Sequence, residues 1–268
     1  MRYRNINGVV CAVALAAAAG QALATISYTG IGSFLNEDFD TLATSGTGNA
    51  WANDSTITGW SLFNQTPAAI TTYNAGTGSS NAGSFYSFGV AGENPETDRA
   101  LGGVGSGGTY FGGPSSGSVA GWIAVGITNN TGSTLDWWGI EYVGEQWRNG
   151  NASAQTMVFE YGYGATFDAV ASWTAPGAAW DFTSPVFGGT AGALDGNDPA
   201  NRVSGIGDVL FGQTWTPGQT LWMRWIELND TGSDHGLAID EWAFRSAPAP
   251  GALALLGMGG LMASRRRR

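Results

Sequence analysis

The sequence predicts an all-β protein: an antiparallel two-sheet sandwich of the jelly-roll kind over residues 25–246, with a helical targeting segment at each end. Three observations lead there. Apolar residues alternate with polar ones instead of recurring every 3.6 positions. Turn-forming clusters separate the alternating runs. Glycine, 43 of 268 residues, interrupts nearly every candidate helical stretch between residues 25 and 246.

The strands can be read in order. In Trp122 to Thr128, Ile123, Val125 and Ile127 share a face, and in Leu135 to Val143, Trp138, Ile140 and Tyr142 do. Met157, Phe159, Tyr161 and Tyr163 form the clearest stripe. Shorter candidates are Gly59 to Phe63, Ile70 to Tyr73, Ser84 to Phe88, Val209 to Trp215 and Leu221 to Leu228. Turns are expected at Asn129 to Gly132, Asn149 to Asn151 and Thr216 to Gly218. In the last strand Leu237 and Ile239 lie on one alternation and Trp242 and Phe244 on the other, which predicts a β-bulge at Asp240 and Glu241. Ala75 to Gly83 and Gly102 to Gly117 are rich in Gly and Ser and read as long surface loops. The reading gives ten to twelve strands, at about the density expected of a sandwich.

Charge and composition exclude several chemistries. Between the two ends, five arginines face all 21 acidic residues, a formal charge of about −16, which repels phosphate backbones and anionic lipid and argues against nucleic-acid binding. Lysine is absent, so a Schiff base or a P-loop is excluded, and His235 is the only histidine, so a two-His metal site is too. The one thiol, Cys11, falls in a segment expected to be removed, leaving neither a disulfide nor a cysteine nucleophile.

Residues 1–24 combine Arg2 and Arg4, an apolar run from Val9 to Ala19 and the small-residue pattern Ala22-Leu23-Ala24, the order of a secretory signal peptide cut after Ala24. In residues 247–268, Pro248-Ala249-Pro250 precedes a run of small and apolar residues from Gly251 to Ser264 and then Arg265, Arg266, Arg267 and Arg268. Fourteen helical residues span about 21 Å, short of a hydrocarbon core of about 30 Å, so the run suits a transient anchor with its arginines held in the cytoplasm.

This tripartite tail resembles the PEP-CTERM sorting signal of exported bacterial proteins, with Ala249 where the commonest motif has Glu. The resemblance implies export by the Sec machinery, transient anchoring in the inner membrane, cleavage by an exosortase-like protease, and release to the cell surface or an exopolysaccharide matrix. An ordinary C-terminal membrane anchor is the alternative. A second resemblance runs through Asn130-Thr131-Gly132, Gly144 to Arg148, Ala154 to Phe159, Leu194 to Asn197, Asn201-Arg202, Leu221 to Trp225 and Asp234 to Asp240. These pieces are similar, in order, to a recurring module of exported bacterial proteins with no assigned activity, which implies the same sandwich and export route.

Candidate chemistry lies in four places. Glu145 and Arg148 flank Trp147 at an expected strand end, where they form either an ion pair clamping two loops or a glycan site. Asn229 to Gly236, with Asp230 and Asp234, concentrates oxygen ligands that, with Asp195, Asn197 or Asp198, could supply a structural Ca²⁺; plain turn chemistry explains the loop without any metal. Similarity to carbohydrate-binding jelly rolls implies a different calcium arrangement, with Glu37, Asp38 or Asp40 of the first strand beside Asp240 of the last. His235 next to Asp234 lacks a third catalytic partner and reads as a scaffold residue. Tryptophans in alternating positions (Trp122, Trp138, Trp225) belong to the core, whereas those in turns (Trp51, Trp147, Trp173, Trp180) either pack inside or stack on sugar rings. The expectation is an exported, non-catalytic surface or matrix protein with a structural or polysaccharide-binding role. The alternative is a secreted polysaccharide hydrolase using Glu141 with Glu145, or Glu160 with Glu227.

Overall fold

The computed structural model describes residues 25–90, 98–150 and 152–248. The expected signal peptide and the tail from Ala249 onward, Pro250 and the four terminal arginines included, lie outside the described residues. Pro248 follows directly on the last strand, where a residue without an N–H ends the ladder.

In chain order the strands are β1 (Ile26–Tyr28), β2 (Leu35–Glu37), β3 (Asn49–Ala50), β4 (Trp60–Asn64), β5 (Thr72–Gly76), β6 (Ser84–Phe88), β7 (Ala100–Val104), β8 (Ser118–Asn129), β9 (Leu135–Asn149), β10 (Thr156–Met157), β11 (Phe159–Tyr163), β12 (Phe182–Thr183), β13 (Gly192–Ala193), β14 (Arg202–Ile206), β15 (Val209–Trp215), β16 (Thr220–Asn229) and β17 (Gly236–Ala247). They form a two-sheet sandwich. One sheet of five strands runs β1-β8-β16-β11, with β4 also on β8. The other, of ten, is built around the long β9–β17 pair. Pairing is antiparallel except for β1 with β8 and β5 with β6. β10 and β12 pair by themselves.

The apolar stripes read from the sequence meet between the sheets. Ile123, Val125 and Ile127 from β8 and Met223 and Trp225 from β16 face Trp138, Ile140 and Tyr142 from β9 and Leu237, Ile239, Trp242 and Phe244 from β17 in one buried cluster. Edge-to-face aromatic pairs join the layers: Trp60 with Trp242 at 5.4 Å and Tyr142 with Trp225 at 5.5 Å. Such pairs contribute about 0.5–1.5 kcal/mol each beyond the area they bury.

The bulge sits where the phase change places it. The register of β17 against β9 shifts between Asp240 and Ala243, and Glu241 takes φ 48°. One side chain is thereby skipped, which returns Trp242 and Phe244 to the core face already used by Leu237 and Ile239. The bulge also divides the far edge of β17, with β7 pairing before it and β2 after it.

Three expectations need correction. Residues 75 and 76, read as the start of a surface loop, end β5 and pair with β6. Residues 102–104, read as the start of a surface loop, complete β7, a wholly buried strand between β6 and β17. Glycine is required there because a Cβ at Gly102 would run into Leu237 O and Ala238, and one at Gly103 would come within 2.9 Å of the Glu227 carboxyl. Residues 144–148, expected at a strand end, lie inside β9, which continues to Asn149.

Candidate functional site

Alternation along β9 sends Trp137, Glu141, Glu145 and Trp147 to the outer face of the ten-stranded sheet, opposite Trp138, Ile140 and Tyr142 in the core. β17 adds Ala238, Asp240, Ala243 and Arg245 to the same outer face. This face has three zones.

At one end is an exposed aromatic platform. Phe211 of β15 lies opposite Trp137 of β9 and is 73% exposed, with ring centroids 6.4 Å apart. Phe34, just before β2, is 58% exposed. The Arg245 guanidinium bridges them, 5.3 Å from the Phe34 ring and 5.6 Å from that of Trp137. Beside it opens a cleft of about 350 Å³ lined by Phe34, Glu141, Asp208, Val209 and Arg245 with the backbone of Gly139 and Gly207. The sequence reading missed this platform. The signal was present: with Trp138 inside, Trp137 must point outward, and Phe211 alternates with the core-packed Leu210 in the same way.

In the middle lies a buried carboxyl cluster. Glu145 is 1% exposed and Asp240 4%. Burial pushes the Glu145 carboxyl up to about 8, opposed by Arg202 and by a hydrogen bond from Trp147 Nε1 at 3.1 Å. Burial likewise pushes Asp240 up to about 9, reinforced by Glu145, Asp98 and Glu241 and opposed by the Glu241 N–H, 2.7 Å from its Oδ1. Arg202 is the nearby cation, 3.9 Å from Glu145 and 3.7 Å from Glu241.

At the other end the aromatic residues are covered. Tyr86, Phe88 and Trp147 stack in series at 5.0 and 6.0 Å, and Trp147 is fully buried. Trp147 therefore offers no ring face to a sugar. Arg148 lies just past a register shift of β9 against β17 and donates from Nη1 to the carbonyls of Gly78 and Ser79, at 3.1 Å each, and not to Glu145. The carboxylate–guanidinium clamp expected of Glu145 and Arg148 is thus made by Glu145 and Arg202 instead.

The acids proposed for calcium are distributed over three places. β2 does lie beside β17, with Glu37 opposite Trp242. Asp38 lines a cleft of about 390 Å³ with Asn36, Glu37, Thr41, Glu241 and Trp242, while Asp40 accepts the Arg99 N–H at 2.9 Å. Asp240 faces Glu145 instead of either. Asp230 and Asp234 precede β17, whose first residue, Gly236, is about 13 Å along the strand from Asp240. They sit near the buried Glu227, which accepts the Gly105 N–H, and Asp234 Oδ1 accepts the Asp230 N–H at 2.7 Å. Burial pushes Asp234 up to about 7. Among the described residues, no group of three or more His, Cys, Asp or Glu is disposed to hold a metal ion.

His235 is a buried scaffold residue. Its Nδ1 accepts the Gly150 N–H at 2.8 Å, so Nε2 carries the proton toward Ser153 O at 3.1 Å, and burial lowers its pKa. Of the turn tryptophans, Trp51 and Trp180 join the core between the sheets, Trp147 is buried in the stack on the outer face, and only Trp173 is half-exposed. Its ring lies 3.9 Å from the Arg224 guanidinium, which is paired with Glu160 on the outer face of the five-stranded sheet. Glu227 is buried between the sheets, so Glu160 and Glu227 do not share a groove. Glu141 and Glu145 share a face but lie four residues apart on one strand, about 13 Å, beyond the spacing of paired glycosidase carboxyls.

No protein-family model matches the chain, and no curated protein matches it either. Among solved structures, similarity extends to the arabinose-bound α-L-arabinofuranosidase MgGH51, at 11% identity and TM-score 0.36, over 84% of this chain and 29% of that one. The K1 cleaved adhesin domain of Lys-gingipain from Porphyromonas gingivalis W83 aligns at 13% identity and TM-score 0.32, over 80% of this chain and 98% of that one. The family 11 carbohydrate-binding module from Clostridium thermocellum, solved with a β-1,3-1,4-mixed-linked tetrasaccharide, aligns at 11% identity and TM-score 0.29, over 76% and 99%. The chain spans under a third of the arabinofuranosidase. Likenesses at these scores carry no functional argument; the sandwich rests on its strand pairing and its shared core.

Proposed function

We propose that this is an exported, non-catalytic glycan-binding protein whose ligand lies on the outer face of the ten-stranded sheet, across Phe211, Trp137 and Phe34. The observation that carries the reading is the exposed platform itself. Among the described residues three phenylalanines are exposed, and two of them, Phe34 and Phe211, share one face with a half-buried tryptophan between them and a polar cleft alongside. Flat apolar rings stack on the C–H faces of pyranose rings, and the Glu141, Asp208 and Arg245 side chains supply hydrogen-bond partners for hydroxyls.

Export through the Sec pathway, transient membrane anchoring and exosortase-like processing are supported by the ordered charge, apolar and small-residue patterns of residues 1–24 and 247–268. They place a matrix polysaccharide within reach of the platform.

Hydrolysis is the second reading, because two carboxylates, Glu141 and Asp208, border the cleft. Both are exposed, whereas a glycosidase needs one carboxylic acid held protonated beside its substrate. The carboxyls that burial protonates here, Glu145 and Asp240, do not line the cleft. Binding without turnover therefore fits better.

The test is a glycan array with the full chain, followed by affinity measurement on the best ligand and an assay for released reducing ends. The expected result is binding without reducing-end release, weakened about tenfold or more by Phe211→Ala and unchanged by Phe187→Ala, which removes an exposed aromatic from the loop bonded to Gln146 and Asn149 of β9, away from Trp137. Binding unaffected by Phe211→Ala, or no binding on the array, sinks the proposal.

A further inference from the structure

Resting on the glycan-binding reading of this same cleft, we infer that its ligand is a cationic glycan, a polymer bearing free amino sugars. Glu141 and Asp208 both line the aromatic cleft, and both are exposed. Among the described residues, neither has a cationic side chain within 4.0 Å; the ion pairs formed there use Arg202 and Arg224. Asp208 Oδ1 accepts the adjacent Val209 N–H, at 2.7 Å.

The remaining cation in the cleft, Arg245, is engaged by arene faces, lying between the Phe34 and Trp137 rings. Two carboxylates and one guanidinium leave a negative charge uncompensated beside a stacking surface. An ammonium group on a sugar stacked over Phe211 meets that charge and the ring faces together.

The surroundings act in the same direction. The chain between the two targeting ends carries about −16 with no lysine, so its field repels uronate, sulfate and phosphate polymers and draws in cationic ones. A neutral glycan would use the rings and hydrogen-bond to the two acids, but would leave their charge without a counterpart.

The experiment compares a β-1,4-linked glucosamine hexamer, the N-acetylglucosamine hexamer and cellohexaose by calorimetry, with the full chain at pH 6, where the sugar amine is protonated. The expected result is a two- to thirtyfold preference, in rough terms, for the amine-bearing oligomer at low ionic strength, shrinking as salt is raised. The Glu141→Gln, Asp208→Asn double variant should bring the preference close to one, with a thermal midpoint showing that it remains folded. Equal affinity for all three oligomers, or a preference that survives the double variant, overturns the inference and leaves glycan binding standing. Absence of binding to any of the three, together with an empty glycan array, removes both.

Discussion

Asp240→Asn should stabilise the protein at neutral pH and do almost nothing near pH 4. Asp240 is 4% exposed on the outer face of β17, facing Glu145, Asp98 and Glu241, and burial raises its pKa to about 9. In the unfolded chain an aspartate titrates at about 3.9. Because the folded value is the higher one, the folded state holds a proton that the unfolded state releases. The associated stability is complete below about pH 3.9 and is lost progressively as pH rises toward about 9. At pH 7 the unfolded chain has gained about three pH units of ionisation at about 1.4 kcal/mol each, so ionisation disfavours folding by up to about 4 kcal/mol. Asparagine has nearly the shape of the protonated acid, keeps an acceptor for the Glu241 N–H, and gives the unfolded chain no such advantage. Relaxation of the site reduces the gain, so about 1–4 kcal/mol is expected at pH 7 and less than about 0.5 kcal/mol at pH 4. Urea denaturation of both proteins at the two pH values measures it. Equal destabilisation at both, reproduced in wild type by a chelator at pH 7, would show Asp240 ionised and bound to a cation in the native state, contrary to the argument.

Two further outcomes follow from the packing and the termini. Gly102→Val should lower stability by about 3 kcal/mol or more, since its Cβ has no room against Leu237 O and Ala238; a thermal midpoint within a degree or two of wild type would mean that β7 does not lie against β17. The exported product should begin at Thr25 and lack the terminal arginines; recovery of an uncut chain from the cytosol by intact-mass analysis would refute the export reading.

How far the sequence was legible depended on the kind of constraint. Strand stripes such as Ile123, Val125 and Ile127 were readable because burial of one sheet face imposes a period of two. The bulge was readable for the same reason: two apolar pairs out of phase within one strand can reach a common core only if the backbone takes an extra step. β7 was not, because Gly102 and Gly103 resemble loop composition when what they satisfy is close approach by Ala238 and Glu227, which are remote in sequence. Trp147 and Arg148 misled in the other direction. Their neighbourhood looked like a turn, but β9 runs through it, and the stack with Phe88 buries the ring.

Composition and order along the chain were enough to establish an all-β body, its anionic character and the two distinctive ends, since charge sums and local alternation need no knowledge of long-range contacts. Which carboxylate meets which arginine, which tryptophan is hidden and where the open rings gather depended on strands far apart in sequence coming side by side. Arg202 reaches Glu145 across β14 and β9, and Phe211 meets Trp137 across β15 and β9. A close ion pair or a ring stack needs its partners within a few ångströms of each other, so those partnerships exist only once the sheets have formed.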